Sequence, residues 1–153
     1  MFLATQEKKR QIILENFNNP VYQVSLIELK KVSQLHAIPF SCFRSSNNGC
    51  GDVVYLLLIP ANNSIQLALF ASDQQACCLT ISSANILCHW MRNKKIDLIK
   101  EEIINLEKML QGQKYQLLNC HPMEIFQDLK KSPRRLECVN LVVRGIKLMI
   151  YQK

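Results

Sequence analysis

Cysteine is the residue type with the greatest chemical potential in this chain of 153 residues. Seven cysteines occur, at positions 42, 50, 77, 78, 88, 120 and 138. An odd number of cysteines, without a signal-like N-terminal segment, disfavours a disulfide framework and favours metal binding or thiol chemistry for some of them. The alternative is that they pack as small apolar side chains, as most free cysteines do.

Three cysteines and one acid fall near the predicted ends of regular elements. Cys50 and Asp52 precede a strong strand, and Gly51 between them permits backbone conformations closed to other residues, so the thiol and the carboxylate can face one centre. Cys77 opens a predicted helix, where unpaired amides and the helix dipole stabilise a thiolate. Cys138 is predicted to lie at the start of the last helix. Such donors suit zinc or an iron–sulfur cluster, although their wide separation in sequence is not specific.

The remaining candidates carry weaker signals. Cys78 follows Cys77, but adjacent helical residues point about 100° apart, so packing is expected for Cys78. No histidine–acid pair is arranged around the serines that follow, which disfavours a serine nucleophile. Packing or surface positions are expected for Cys42, Cys88, Cys120, His36, His89, His121, Trp90, Ser82 and Ser83.

The first half of the chain predicts a helix followed by strands. Residues Gln6 to Asn18 form the predicted helix, which the Asn-Pro pair that follows would end. Residues 21–38 fit a helix or an extended segment, and Ser41 to Ser46 fits a short strand. Two apolar runs, Val53 to Ile59 and Ile65 to Phe70, are joined by a short polar turn and predict an antiparallel hairpin.

The second half predicts helices. They cover Cys77 to Trp90, a stretch from Ile96 to about Leu110, Pro122 to Lys131, and a final segment from about Cys138 onward. Strands followed by helices indicate an α+β fold, with a small antiparallel sheet of about three strands covered by helices. The length predicts a single domain over residues 1–153.

Composition and charge limit the possible partners. Hydrophobic residues make up 48% and charged residues 20%, as in folded globular proteins. The longest apolar run is far shorter than the roughly 20 residues of a membrane span, and the N-terminal residues lack a signal pattern, so a cytoplasmic protein is predicted. The net charge of +7 comes from short clusters, which favour solvated faces first and an acidic partner second. Nucleic-acid binding is least favoured, because no matching motif accompanies the clusters.

Several motifs, in order along the chain, resemble the U-type iron–sulfur scaffold family (SufU, IscU and the N-terminal domain of NifU), in particular its SufU branch. The segment QIILENFNNP at 11–20 resembles the first helix of that family, and CGD at 50–52 its first ligand motif. The segment ACCLTISSAN at 76–85 is similar to the second motif, and PRRLEC at 133–138 to the third, Pro-x-Arg-x-x-Cys. The segment MLQGQKY at 109–115 is similar to a stretch peculiar to the SufU branch.

This resemblance implies a fold, a site and partners. Members of the family accept sulfur from a cysteine desulfurase, and they build a cluster from it or pass it toward apo iron–sulfur proteins. The implied cofactors are zinc and a transient iron–sulfur cluster, in a sulfur relay rather than a small-molecule enzyme. The implied metal ligands are Cys50, Asp52, Cys77 and Cys138, with Cys50 as the sulfur acceptor and Gly51 and Arg135 in support.

The chain departs from the family pattern at two positions beside the ligands. Ala76 replaces the usual glycine before the second cysteine, and Glu137 stands where IscU members have histidine and SufU members usually have lysine. An IscU-like accessory ligand is therefore missing. A competing hypothesis is a closed structural zinc module for protein interaction or nucleic-acid binding. Asp52 disfavours it, because a carboxylate is a more easily exchanged ligand than a fourth cysteine.

Overall fold

The structure is a computed structural model that describes residues 5–45, 51–73, 76–118 and 121–151. Within these ranges the elements follow in the order α1 (Gln6–Asn18), α2 (Leu26–His36), β1 (Ser41–Arg44), β2 (Val53–Ala61), β3 (Ser64–Ser72), α3 (Cys78–Met91), β4 (Lys94–Lys95), α4 (Ile96–Leu110), a 3₁₀ helix (Pro122–Lys131) and α5 (Pro133–Tyr151). The fold is α+β, as the sequence predicts.

The sheet is antiparallel throughout, in the order β1-β2-β3-β4. The predicted hairpin is confirmed: β2 and β3 pair with Leu57 opposite Leu69, and Asn62 and Asn63 turn the chain with φ of 52° and 65°. In the described part of the chain the sheet has four strands, where about three were predicted. The additional strand, β4, is only two lysines long and pairs with the start of β3, so it has no apolar pattern that the sequence could reveal.

Both faces of the central hairpin are covered, and this explains why β2 is apolar at almost every position. On one face, Leu56 and Phe70 join the main core with α1, α3, α4 and α5. On the other face, Leu57 and Ile59 pack against Leu29 of α2. The central hairpin, which Asp52 immediately precedes, is thus packed on both faces.

Local capping decides several helix boundaries. The predicted bounds of α1 are confirmed, and the Thr5 side chain accepts a hydrogen bond from the Lys8 amide at 3.2 Å. The ambiguous stretch 21–38 contains α2, which Ser25 caps in the same way at the Glu28 amide. Pro122–Lys131 is helical as predicted but forms a 3₁₀ helix.

The start of the last helix is a correction to the sequence prediction. The helix α5 begins at Pro133, not close to Cys138, because proline is well suited to a first helical turn. Cys138 therefore lies in the second turn of α5. Gly145, farther along α5, allows close approach to the sheet: a Cβ added there would lie 2.9 Å from the Phe43 ring.

No helix in the described ranges has both the length and the apolar character that crossing a bilayer requires.

Candidate metal centre

Asp52, Cys77 and Cys138 come together although they are far apart in sequence. One ligand atom from each lies within 4.8 Å of the other two. Zinc binds sulfur and oxygen at roughly 2.0–2.3 Å, which in a tetrahedron places the ligand atoms roughly 3.3–3.8 Å apart. Small side-chain adjustments would bring the three atoms to these separations. Two sulfurs and one carboxylate oxygen thus fit zinc, and the thiolates also suit an iron–sulfur cluster.

Asp52 is a buried carboxylate, only 2% exposed, at the entry to β2. Its Oδ2 atom accepts two hydrogen bonds, one from the Cys77 backbone N–H at 3.2 Å and one from the Thr80 hydroxyl at 2.6 Å. These donors offset the loss of water around the acid. Gly51 precedes it with φ of +74°, a left-handed conformation that favours glycine, so the sequence argument for this glycine agrees with its backbone.

Cys77 is the N-cap residue of α3, as its predicted place at the opening of a helix requires. Its pKa falls from 9.0 to about 6, chiefly because the Cys138 thiol can donate a hydrogen bond to its thiolate. Burial opposes this shift, the Thr80 amide favours the thiolate to a smaller extent, and the charge of Asp52 opposes it least. The Cys77 side chain makes no cap hydrogen bond, so the Thr80 amide favours the Cys77 thiolate only by lying close to it.

Cys138 is 2% exposed and lies one turn after Arg134, with its Sγ atom 3.7 Å from the Arg134 carbonyl oxygen. The sequence predicted that Cys138, like Cys77, would lie at the start of a helix. Only Cys77 does, because Cys138 lies in the second turn of α5, beyond the first turn where the dipole acts. The two thiols thus have different roles: Cys138 is the donor that stabilises the Cys77 thiolate.

Thr80 is part of this site although the cysteine pattern does not reveal it. It is fully buried, and its hydroxyl lies 2.6 Å from Asp52 Oδ2, 3.5 Å from Cys77 Sγ and 3.4 Å from the Cys138 carbonyl oxygen. A signal was available in the sequence: the third residue of a helix faces the N-cap side chain, as in a capping box. A cysteine at the N-cap with a hydroxyl residue three positions later is a pattern of this kind.

Two further site residues were predicted, Cys50 and Arg135. Cys50, the predicted sulfur acceptor, lies outside the described residues. Arg135 is exposed and lines a surface groove between α1 and the 3₁₀ helix, together with Cys78. Cys78 therefore faces away from the three-residue group, as its position one residue after Cys77 indicates.

The remaining cysteines and histidines in the described ranges stay outside the group. Cys88 is completely buried, and burial raises its pKa, as expected for a packing residue. His121 is buried against Trp90, with ring centroids 4.6 Å apart. Burial, and to a smaller extent the charge of Lys94, lowers the pKa of His121 to about 4. Its Nδ1 atom accepts a hydrogen bond from the Met123 amide. His121 is therefore a neutral packing and capping residue.

Comparisons with known proteins identify the fold. No protein-family model and no curated protein sequence matches this chain. Among solved structures, it is similar to a candidate iron–sulfur cluster assembly scaffold protein for the SUF system from Fervidobacterium islandicum AW-1, with a TM-score of 0.73, 19% identity and coverage of 90% of this chain and 93% of that one. This chain has a SufU-like fold.

Two further structures share the SufU-like fold. One is the N-terminal part of a nitrogen-fixing NifU-like protein from Brucella abortus, with a TM-score of 0.70, 16% identity and 95% coverage of both chains. The other is described as a hypothetical protein, with a TM-score of 0.71, 18% identity and coverage of 97% of this chain and 100% of that one. The predicted SufU/IscU-like fold class is thereby confirmed.

Proposed function

We propose that this protein is a U-type iron–sulfur scaffold of the SufU branch, which accepts sulfur from a cysteine desulfurase at a metal site. The observation that carries the proposal is the convergence of Asp52, Cys77 and Cys138 within a SufU-like fold. The order of the sequence motifs supports it, because each residue belongs to a different ligand motif of that family. Cys50, two residues before Asp52, is the proposed fourth ligand.

Cys50 is also the proposed sulfur acceptor. Its thiolate would attack the outer sulfur of a persulfide on the desulfurase, forming a new S–S bond while the desulfurase cysteine leaves as a thiolate. The exchange moves one sulfur atom and needs no external oxidant. Zinc held by Cys50, Asp52, Cys77 and Cys138 would keep the ligand thiols deprotonated, which would favour Cys50 as a thiolate nucleophile. Cys77 and Cys138, on the two helices, are the holding ligands.

The proposed setting is the cytoplasm, with apo iron–sulfur proteins as recipients of the sulfur or cluster. The five cysteines in the described ranges are free thiols. A transient iron–sulfur cluster on the same ligands is the second proposed cargo. Anaerobic reconstitution with iron and sulfide separates the two: a stable visible chromophore supports cluster assembly, and none supports sulfur relay over zinc.

The function is tested with purified protein and a cysteine desulfurase. We expect about one zinc per chain and sulfur transfer to the wild-type protein. Cys50→Ala should abolish transfer, because the nucleophile is gone. The matched control is Cys42→Ala, which removes an exposed thiol on β1 and should leave transfer unchanged. A Cys50→Ala protein that still accepts persulfide at the normal rate contradicts the assignment of Cys50.

A closed structural zinc module is the second candidate, favoured by the burial of Asp52 and Cys138 at 2% exposure each. Such a site would be inert, so its zinc-bound thiols would resist alkylation and the protein would accept no sulfur. Alkylation of the zinc-loaded protein, followed residue by residue by mass spectrometry, separates the candidates. Rapid modification of Cys50 in the presence of zinc supports the sulfur acceptor, and complete resistance supports the structural module.

A further inference from the structure

We infer that Thr80 is the positioning residue for the metal ligand Asp52: its hydroxyl holds one carboxylate oxygen so that the other is presented to the metal. This inference rests on the proposed metal site. It extends that site to a residue with no metal-binding chemistry of its own, on the first turn of α3.

The two oxygens of Asp52 are in different situations. Among the described residues, both hydrogen-bond donors to this carboxylate, the Thr80 hydroxyl and the Cys77 amide, act on Oδ2. An oxygen that accepts two hydrogen bonds has little lone-pair capacity left for a metal. Ligation through Oδ1 alone follows, and Oδ2 becomes the fixed end that sets the angle of the carboxylate.

The hydroxyl proton of Thr80 is committed to Asp52. Three polar atoms lie around the hydroxyl, but it has one proton, and Asp52 Oδ2 at 2.6 Å is much nearer than the Cys138 carbonyl oxygen at 3.4 Å. Hydrogen bonds to a carboxylate are short and strong. Because Thr80 is fully buried on a helix, its side chain has few alternative rotamers, and water does not compete for Oδ2.

Outer partners of this kind influence metal affinity. Hydrogen bonds that orient a metal ligand typically change affinity by roughly 10–100-fold when they are removed. Here the effect should reach the metal only through Asp52. Thr80 therefore tunes how firmly the carboxylate holds the metal, and loss of its hydroxyl should matter only while Asp52 is present.

The test compares Thr80→Val, which replaces the hydroxyl with a methyl group, and Thr80→Ser, which keeps the hydroxyl. Zinc affinity is measured by competition with a chromophoric chelator, and cobalt(II) substitution reports ligand geometry through its visible spectrum. Both Thr80 variants are also made with Asp52→Ala. The matched control is Ser82→Ala, which removes another buried hydroxyl of α3 whose hydrogen-bond partner among the described residues is the Leu79 carbonyl.

We expect Thr80→Val to weaken zinc binding by roughly 10–100-fold and to shift the cobalt spectrum, while Thr80→Ser and Ser82→Ala stay near wild type. In the Asp52→Ala background, Thr80→Val should have no further effect. Should Thr80→Val fail to fold, Thr80→Ala supplies the hydroxyl-free variant.

The contrary outcomes are distinct. If wild type binds zinc and Thr80→Val binds it equally well, the role of Thr80 is overturned and the metal site stands. The role is also overturned if Thr80→Val loses the same zinc affinity with Asp52 present as in the Asp52→Ala background. Thr80 would then act independently of the carboxylate. A wild-type protein that binds neither zinc nor cobalt overturns the proposed metal site itself.

Discussion

Cys77 and Cys88 are the same residue type at opposite ends of α3, and the helix gives them opposite chemistry. Cys77 is the partly buried N-cap residue, with a pKa lowered to about 6 by the neighbouring Cys138 thiol. Cys88 is fully buried in the core, where its pKa is raised. The difference lies in burial and hydrogen-bond partners. The pKa of a cysteine thiol in this helix is therefore decided by its tertiary contacts as well as by its place in the helix.

The largest expected effect is the contrast in alkylation between these two residues. In the metal-free protein, iodoacetamide should modify Cys77 at least about 1,000-fold faster than Cys88 at neutral pH, because only the accessible thiolate reacts. The rate at Cys77 should rise with pH around a midpoint of about 6. Peptide-resolved mass spectrometry measures both rates, and denatured protein is the control in which the rates should converge. Equal rates in the native protein would remove the contrast.

A smaller effect is expected when the donor beside Cys77 is removed. Cys138→Ala deletes the thiol that stabilises the Cys77 thiolate most, so the pKa of Cys77 should rise and its alkylation at pH 6 should slow by roughly 3–10-fold. The exposed Cys42 thiol, measured in the same digests, is the internal control and should not change. An unchanged pH profile for Cys77 would assign its acidity to the helix N-terminus alone.

The smallest effect concerns stability. Cys77 occupies an N-cap position without a cap hydrogen bond, and serine is among the best N-cap residues. Cys77→Ser should therefore stabilise the metal-free protein by about 0.5–1 kcal/mol at pH 5, measured by urea unfolding. Cys88→Ser is the matched control and should destabilise it, because a hydroxyl would be buried in the apolar core.

The stability difference between Cys77→Ser and the wild-type protein should depend on pH. The folded pKa of Cys77 lies below its unfolded value of 9.0, so its ionisation stabilises the fold fully above pH 9, and this contribution is lost as the pH falls through about 6. The advantage of Cys77→Ser over wild type should consequently shrink between pH 5 and pH 8. An advantage that grows with pH would contradict the lowered pKa.

Much of the fold is predictable because its signals are local. The helix Gln6–Asn18 follows from its N-cap and its Asn-Pro exit, and the central hairpin from two apolar runs around an asparagine turn. The sequence did not decide helix α2, because it covers only the outer face of the sheet. Its apolar residues Ile27 and Leu35 are exposed, so they weaken the helical periodicity of its hydrophobic residues. The two-lysine strand β4 exists through pairing with β3 alone.

The candidate site was predictable only in part. Family-like motifs selected Asp52, Cys77 and Cys138, although their spacing alone could not show that they meet. The capping-box-like spacing could have linked Thr80 to Cys77, but its hydrogen bond to Asp52, 28 positions away, has no signal in the sequence. The predicted position of Cys138 at the start of the last helix was wrong, because α5 begins at Pro133, earlier than the apolar pattern indicates.

The distribution of the three donors along the chain has a consequence for biogenesis. Asp52 and Cys77 emerge from the ribosome well before Cys138, which lies on α5, the last element of the described chain. A nascent protein therefore carries two of the donors but cannot assemble the three-residue centre until α5 docks. A metal held by all three would bridge distant segments and disfavour the unfolded chain. Full metal occupancy would then mark chains that have completed folding.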